Sequence, residues 1–540
     1  MKHVSSPKQT WLASGLLLIL LLLAGPVVRA QVPAWQSAVA TNQANGPGNY
    51  CRSISTAADA NGNVYIVGDF SGTVIFGSST LTSAGNSDVF IAKWSAITNR
   101  LMWAIRAGGQ NGDGALSVAV AGANVYVTGS FNSRTADFGS FTLTNSSTLL
   151  SPDVFIAKMT DSGTFVWALQ AGGANTDLPQ AIAVDGPNVY TTGRFISATA
   201  SFGSTVLTNA GGNAFDAFVT KVTDAGPTAS FTWAQQVGGT GNDNISGLAV
   251  SGSGVYLAGL FDGPTTILGS LAIANSTADG KADGFAAKLT DAGATAAFVW
   301  AQRMGGPGNE YAIAVAAKGP TLYVGGEFSS PGFSLGTTAL AGTGMFITKI
   351  MDDGSSSHFV WAQQSDGTCP LTSTRVVRVV GPNVYVGGLF SGTGTAAFGS
   401  TILTNTPEPG TTPPVARTDG YVAKFTDTGT QAHFDWVKQI GGVGFEEVRG
   451  LVAIGPVLYA AGWSNALATF DNLNVANPAL DYLGFLASLT DPTLTATTAA
   501  RSDFAFALAP NPAHGSASVQ LPAVPGAATA TLTLLDALGR

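Results

Sequence analysis

The chain has few charged residues, few histidines and almost no cysteine. Charged residues make up 10% of its 540 residues, and it contains 4 histidines and 2 cysteines. So few histidines disfavour a histidine-based catalytic triad or zinc site. The low charge and the 45% share of hydrophobic residues exclude an intrinsically disordered chain. The net charge of −8 predicts no basic face, so we expect no nucleic-acid partner.

Long apolar runs are absent beyond the N-terminus. Lys2, His3 and Lys8 give a positive start, residues 12–24 are apolar, and Ala30 precedes a predicted cleavage site. This run is too short and too close to the terminus to favour a membrane span. Residues 1–30 are therefore predicted to be a signal peptide. The mature chain is expected to be secreted or on the outer-membrane surface, with no transmembrane segment after signal removal.

The two cysteines, Cys51 and Cys369, are interpreted as lying in equivalent inter-strand loops of the first and sixth repeats. Export permits a disulfide between them. The bridge requires those loops to approach each other, which sequence does not decide.

One pattern fills the chain in seven copies, of which Asn124 to Phe131 is the clearest. Each copy predicts four short strands rich in β-branched and aromatic residues, separated by Gly and Asp turns. The fourth strand is marked by a tryptophan in each copy, at Trp35, Trp103, Trp167, Trp233, Trp300, Trp361 and Trp436. A further element resembling residues 136–143 recurs between the second and third strands and predicts a small hairpin extension.

The repeat frame predicts an all-β fold, a seven-bladed β-propeller of four-stranded antiparallel blades over residues 31–490. The array begins with a fourth strand at Trp35 and ends with a third strand at residues 483–489. Pairing these two segments completes the seventh blade and removes two exposed sheet edges. Residues such as 181–193, 216–221 and 233–239 resemble the bacterial β-propeller repeat family. That resemblance implies the fold and a secreted or surface protein of unassigned role.

The composition changes after Thr490, and residues 491–503 are predicted to be a linker. Residues 504–540 contain Pro510-Asn511-Pro512, two predicted strands and a final Gly539-Arg540. This order resembles the C-terminal sorting domain of the type IX secretion system of Bacteroidetes, here only partial. The resemblance implies a β-sandwich and a partnership with the type IX secretion machinery.

Glycine pairs followed by an acidic residue recur in the loops between repeats. The acids are Asp113, Asp177, Asp243, Glu310, Glu446 and Glu447. One interpretation is a ring of carboxylates on a ligand face. The other, which the repetition favours, is that each acid caps a turn of its own loop.

Two further positions stand out. Asp59, Asn61 and Asn63 have the alternating oxygen donors of a small calcium loop, although a plain two-strand turn explains them as well. Calcium at this loop is the one cofactor the sequence suggests. Arg378 stands where sibling repeats have alanine, and an inter-blade structural partner is favoured over a ligand role.

No catalytic set is identified, and the sequence favours a non-enzyme. Variable loops on a rigid scaffold are common binding sites, so the predicted function is a surface binding module for an extracellular glycan or protein. The alternatives are a hydrolase or lyase acting on extracellular polysaccharide, which needs two clustered carboxylates, and a structural envelope protein without a ligand.

Overall fold

Short runs of Val, Ile, Phe and Tyr alternate with glycine-containing turns along the chain, and such runs favour strands. The computed structural model describes residues 32–44, 48–277, 279–405, 417–476, 482–494, 507–509 and 518–520. Every regular element among these residues is a β-strand. The predicted leader at residues 1–30 and most of the predicted sorting domain lie outside the described residues.

The strands form seven four-stranded antiparallel units, numbered here in chain order. Their strands, from first to fourth, are Tyr50–Ala58, Asn63–Ser71, Asp88–Ser95 and Arg100–Gly109 in unit one; Asp113–Ala121, Asn124–Phe131, Asp153–Thr160 and Phe165–Gly173 in unit two; Asp177–Asp185, Asn188–Phe195, Asp216–Asp224 and Ala229–Gly239 in unit three; Asp243–Ser251, Gly254–Phe261, Asp283–Asp291 and Ala296–Met304 in unit four; Glu310–Lys318, Thr321–Phe328, Gly344–Asp352 and Ser357–Gln364 in unit five; Leu371–Val380, Asn383–Ser391, Thr418–Asp427 and Ala432–Gly442 in unit six; and Glu446–Ile454, Val457–Ser464, Leu483–Thr490 and Trp35–Ala40 in unit seven.

The predicted hairpin extensions are present between the second and third strands of every unit. They are Thr73–Phe76 with Ser79–Thr82, Thr135–Phe138 with Phe141–Thr144, Thr199–Phe202 with Thr205–Thr208, Thr265–Leu268 with Leu271–Ala274, Phe333–Leu335 with Thr338–Leu340, Thr395–Phe398 with Thr401–Thr404, and Ala468–Phe470 with Leu473–Val475. In units two, three, four and seven the hairpin pairs with the fourth strand of the preceding unit. The short strands Gln43–Ala44 and Asp366–Gly367 make the same kind of pairing with the hairpins of units one and six. The extensions therefore continue the sheet of their neighbour.

The first and last strands of the array pair with each other. Trp35–Ala40 lies antiparallel to Leu483–Thr490, with Trp35 opposite Leu489. The first strand of each unit contacts the first strand of the next, and Glu446–Ile454 of unit seven contacts Tyr50–Ala58 of unit one. These contacts give an all-β, propeller-like arrangement of antiparallel sheets.

The hydrophobic core is divided into seven clusters, and each cluster is formed by two neighbouring units. One example joins units two and three through Tyr126, Trp167, Val189 and Phe218. We call the contact between two neighbouring units a seam. Burial of apolar side chains stabilises each seam by roughly 25 cal/mol per Å². The tryptophan and Val-Tyr columns of the repeat therefore do pack between units.

An aspartate that ends the third strand links each of several units to the one before it. Asp224 accepts hydrogen bonds from the hydroxyl of Tyr126 at 2.7 Å and from Nε1 of Trp167 at 3.1 Å, and its carboxylate lies 2.7 Å from Nζ of Lys158. The same three-donor clamp is made by Asp291, Asp352 and Asp427 with their preceding units. This aspartate therefore holds its own unit against the preceding unit.

The clamp is incomplete at the other seams. Lys93 and Trp103 of unit one donate to the backbone oxygen of Asp161. Asp491 accepts from Tyr385 at 2.7 Å and pairs with Lys424 at 2.9 Å. At the seam between units seven and one, Ser488 and Ser37 stand where the other units have the donor lysine and tryptophan, because they share a ladder row with Tyr459. Trp35 lies opposite Leu489 and packs in the cluster of units six and seven, so it is not in the tryptophan column to which the sequence assigned it.

The chain divides into two compact units, residues 1–494 and 495–540. Asp491 and Leu494, predicted to begin a linker, instead belong to the first unit, where Leu494 is buried. The remaining predicted linker residues lie outside the described residues. In the second unit, Ala507–Ala509 pairs antiparallel with Ser518–Gln520.

The cysteines are both buried and unpaired. Cys51 lies within the first strand of unit one, not in a loop as predicted, and Cys369 lies just before the first strand of unit six. The thiol of Cys369 donates to the backbone oxygen of Ser391 at 2.8 Å.

Candidate functional site

Every unit has a β-bulge at the same point of its first strand. The strand register skips one residue there, and a bulge of this kind redirects a side chain out of the regular ladder. The bulged residues are Ile54, Leu116, Gln180, Ser246, Ile313, Arg375 and Arg449. All seven line one cavity of about 490 Å³, referred to here as the axial cavity. Its volume lies within the roughly 300–1,000 Å³ of small-molecule sites.

The positive charge of the axial cavity is concentrated on units six and seven. Arg375 and Arg449 are held by one carboxylate, because Nε of Arg375 lies 2.9 Å from Oε1 of Glu447 and Nε of Arg449 lies 2.9 Å from Oε2. The Glu447 side chain is only 2% exposed, whereas those of the arginines are 26% and 37% exposed. Within the described part of the chain, no Nη atom of either arginine donates a hydrogen bond. The two arginines and Glu447 together therefore carry one net positive charge, and the Nη donors of the arginines are unused.

Units four and five supply acceptors to the same cavity wall. Oε2 of Glu327 and Oδ1 of Asn244 are buried and accept no hydrogen bond from any described residue. Tyr311, also in the wall, lies opposite Glu327 across the strand pair. Burial, with a smaller contribution from the Glu327 charge, raises the pKa of the Tyr311 hydroxyl. Buried acceptors without a donor are costly, so these two atoms are available to a ligand hydroxyl.

An aromatic cluster lies next to Glu447, where units seven and one meet. Trp463 is the cross-strand partner of Glu447 and stacks on Phe445, with ring centroids 4.7 Å apart. Trp463 also meets Tyr482 edge-on at 4.9 Å, and Tyr482 is 37% exposed. The guanidinium of Arg52 lies 5.9 Å from the Tyr482 ring centroid.

The acids predicted from the glycine-acid loops are buried at the starts of the first strands. Asp113 accepts from the backbone N–H of Gly109 at 2.6 Å and from the Ser133 hydroxyl at 2.7 Å. Asp177 makes the same two hydrogen bonds, Asp243 and Glu310 each accept from a backbone N–H of the loop, and Glu446 accepts from the Ser464 hydroxyl. Their geometry is that of turn caps. Of the six predicted acids, Glu447 is the one that contacts the arginines of the axial cavity.

Burial also changes the acidity of these caps. It raises the pKa of Asp177 to about 7, and those of Asp243 and Glu446 to about 8. A second buried aspartate lies beside each, and the negative charges of Asp153, Asp216 and Asp419 add to the increase. These carboxyls therefore hold their protons to higher pH than exposed carboxyls do.

The proposed calcium loop is a hydrogen-bonded turn. Asp59 Oδ1 accepts from the backbone N–H groups of Asn61 and Asn63, each at 2.9 Å, and Oδ2 accepts from Nδ2 of Asn63 at 2.6 Å. The described residues contain no cluster of three or more His, Cys, Asp or Glu side chains suited to a metal ion.

Arg378 lies three residues beyond the bulge of unit six and is exposed. It does not line the axial cavity and forms no ion pair with a described residue. The structural partner predicted for it is therefore absent from the described residues.

The bulged residues were missed by the sequence reasoning, although the sequence carries a signal for them. Most columns of the repeat keep one residue type, while the bulge column varies between aliphatic, neutral polar and arginine. Variation confined to one column of a uniform repeat indicates a position released from packing.

No family model matches the chain. A search of curated proteins finds the regulatory protein FlaEY of Caulobacter vibrioides, which is 30% identical over 206 residues. That match covers 37% of this chain and 21% of FlaEY, so the chain spans about a fifth of this relative.

Among solved structures, Drosophila Plexin A in complex with Semaphorin 1b matches with a TM-score of 0.38 and 8% identity. The match covers 85% of this chain and 88% of that chain. A likeness at this TM-score does not identify the fold, which rests on the strand pairing described above. Among the described residues, no helix has the length and apolarity required to cross a membrane.

Proposed function

We propose that the chain is a seven-bladed β-propeller that binds an extracellular glycan or protein at its axial cavity. Closure of the ring is supported by the pairing of Trp35–Ala40 with Leu483–Thr490 and by the hydrophobic cluster that joins units seven and one. The seven bulged residues, one from each unit, support a common axis.

The observation that carries the binding function is the broken symmetry of the bulge column. Units one to five contribute only neutral side chains, whereas units six and seven contribute Arg375 and Arg449. A purely structural ring has no need for two partly exposed cations in its wall, since charges are costly to desolvate. A surface that differs between otherwise similar repeats is what a ligand requires.

We further propose that the protein is exported through a type IX-like route and remains secreted or attached to the cell surface. The support is the apolar leader at residues 12–24 and the Pro510-Asn511-Pro512 segment with its following strands. Both proposals rest on sequence patterns, and cell fractionation before and after truncation at residue 503 tests them. Retention of the truncated chain in the periplasm is the expected result.

A glycan and extracellular-protein array probed with the purified full chain tests the binding proposal. We expect a specific hit that weakens when Arg375 is replaced by Gln and stays unchanged in Arg378→Gln, which removes an exposed arginine outside the cavity. Repeating the array with calcium and with a chelator tests the metal requirement. Hits that are equally strong in both variants, or no hits at all, would contradict binding at the axial cavity.

A further inference from the structure

We infer that the ligand of the axial cavity is an acidic saccharide, whose anionic group binds the Arg375–Arg449 pair and whose hydroxyls bind Glu327 and Asn244. This inference rests on the proposed function and specifies its ligand class. It is drawn from the distribution of donors and acceptors in the cavity wall.

The cationic side of the wall is built for an anion. Glu447 is nearly inaccessible; its Oε1 accepts a hydrogen bond from Nε of Arg375, and its Oε2 forms an ion pair with Arg449 at 2.9 Å. This arrangement orients the guanidinium groups while leaving their Nη donors without protein partners in the described part of the chain. Guanidinium forks bind carboxylate or sulfate oxygens through paired hydrogen bonds. One buried acid between two arginines leaves a single excess positive charge on this side of the wall, while the Glu327 carboxylate on the other side carries the opposite charge.

The acceptor side of the wall requires hydroxyl donors. Glu327 Oε2 and Asn244 Oδ1 are both buried without a donor among the described residues, and each belongs to the cavity lining. A simple anion such as phosphate cannot satisfy these acceptors, because at neutral pH it offers few donors. A sugar that carries an acidic group supplies both an anion and several hydroxyls.

The aliphatic surface of the axial cavity suits the apolar face of a sugar ring. Ile54, Leu116 and Ile313 form the apolar part of the wall. Apolar surface with a few oriented polar groups is the usual composition of a small-molecule site.

A cavity of about 490 Å³ accommodates a short saccharide segment and not a folded protein domain. The acidic composition of the chain gives the inference a further physical consequence. The net charge is −8, so long-range electrostatics repel an anionic ligand, and the local arginine pair has to supply the attraction. Binding should therefore be short-range and should depend strongly on both arginines.

The test is calorimetric binding of three tetrasaccharides to the full chain. They are tetragalacturonate, its fully methyl-esterified form, which is neutral and of similar shape, and a sulfated neutral tetrasaccharide. We expect tetragalacturonate or the sulfated sugar to bind at least about tenfold more tightly than the neutral ester, as the loss of charge-assisted hydrogen bonds implies. The preferred acidic sugar distinguishes a carboxylate from a sulfate ester as the recognised group.

Variants locate the interaction. Arg375→Gln is expected to weaken binding of the acidic sugar about tenfold to a hundredfold, and Glu327→Gln to weaken it less. Because Arg375→Gln leaves Glu447 with one partner and can destabilise the fold, the triple variant R375Q/E447Q/R449Q is measured as well. It removes all three charges together and keeps amides in their place. Arg378→Gln is the matched control and should bind within about twofold of the unmodified chain.

Equal affinity for the acidic sugar and its neutral ester overturns the inference and leaves the proposed function intact. The inference is also overturned, and the proposed function kept, if none of the three tetrasaccharides binds while an array hit remains sensitive to Arg375→Gln. Insensitivity of every hit to the cavity variants overturns both proposals.

Discussion

The seam between units three and four allows a direct test of how neighbouring repeats are held together. Asp291 of unit four accepts hydrogen bonds from Tyr190 at 2.6 Å, Lys221 at 2.7 Å and Trp233 at 3.1 Å, all from unit three. The Lys221 and Asp291 side chains are only 5% and 6% exposed. Replacing Asp291 with Ala leaves a buried ammonium group and two buried donors without their acceptor.

The expected loss in the free energy of unfolding is about 3–5 kcal/mol, the usual effect of removing one partner of a buried ion pair. Asp185→Ala is the matched control, because Asp185 is an exposed aspartate of unit three, and it should change the stability by less than about 0.5 kcal/mol. Adding Lys221→Met to Asp291→Ala removes the unpaired charge and should recover roughly half of the loss.

Urea unfolding followed by tryptophan fluorescence and circular dichroism measures these differences. The pH dependence provides a second readout. Burial by itself would raise the pKa of Asp291, but hydrogen bonds from Lys221 and Tyr190 lower it below its ordinary value. The stabilisation is therefore present above about pH 4, the unfolded pKa of aspartate, and is lost as the pH falls through the lower folded pKa. The gap between the unmodified chain and Asp291→Ala should narrow in acid. A loss no larger than that of Asp185→Ala, or a gap independent of pH, would refute the clamp.

Three further predictions concern the caps, the glycines and the terminal strand. Burial raises the pKa of Asp177 to about 7. Its contribution to the free energy of unfolding is therefore complete below about pH 4 and declines as the pH rises to about 7. Asp177→Asn should flatten that decline in urea titrations. A Cβ at Gly238 would lie 2.4 Å from Cγ of Asp216, so Gly238→Ala should lower the melting temperature clearly and cost about 1–3 kcal/mol. The control Gly112→Ala, where the nearest atom is 3.4 Å away, should cost less. Deleting Trp35–Ala40 exposes the edge of its partner strand, and size-exclusion chromatography should then show oligomers or aggregates.

Much of the fold could be predicted from the sequence because the seams repeat. The tyrosine of each second strand and the tryptophan of six of the seven fourth strands, all but Trp35, recur in register, and residues such as Trp167 and Tyr126 lie in the seam clusters. The pairing of Trp35 with the last strand follows from the same frame. The clamp was not predicted, since Asp224 contacts residues nearly a hundred positions earlier, as its hydrogen bond with Tyr126 illustrates. Its sequence signal is a turn, and turns explain an Asp-x-Gly segment without any partner.

The candidate site was harder to predict than the fold. The sequence suggested the repeated acids, such as Asp113 and Asp177, as candidate ligand-face residues, because repetition makes a pattern visible. Repetition marks what every unit needs for its own structure, here a capped loop. Arg375 and Arg449 occupy a column in which no residue type is kept, so their signal is variation within the repeat and not a repeated motif. Their common position becomes visible only through the bulges, which shift the strand register by one residue.

The location of the charged wall follows from the same distinction between shared and unshared positions. Unit seven closes through strand pairing of the chain ends, and at its seam with unit one Ser37 and Ser488, whose hydroxyls lie 2.7 Å apart, replace the tryptophan and lysine that donate to the clamps elsewhere. Stacking of Trp463 on Phe445 and the edge-on contact with Tyr482 add aromatic packing beside that seam. Such pairs contribute about 0.5–1.5 kcal/mol each beyond their buried area. The aromatic side chains that compensate for the missing clamp also border the strand of Glu447. A seam without the clamp does not need the clamp residues, so its positions can differ from the repeat. The proposed binding wall of Arg375 and Arg449 lies next to this seam between units seven and one.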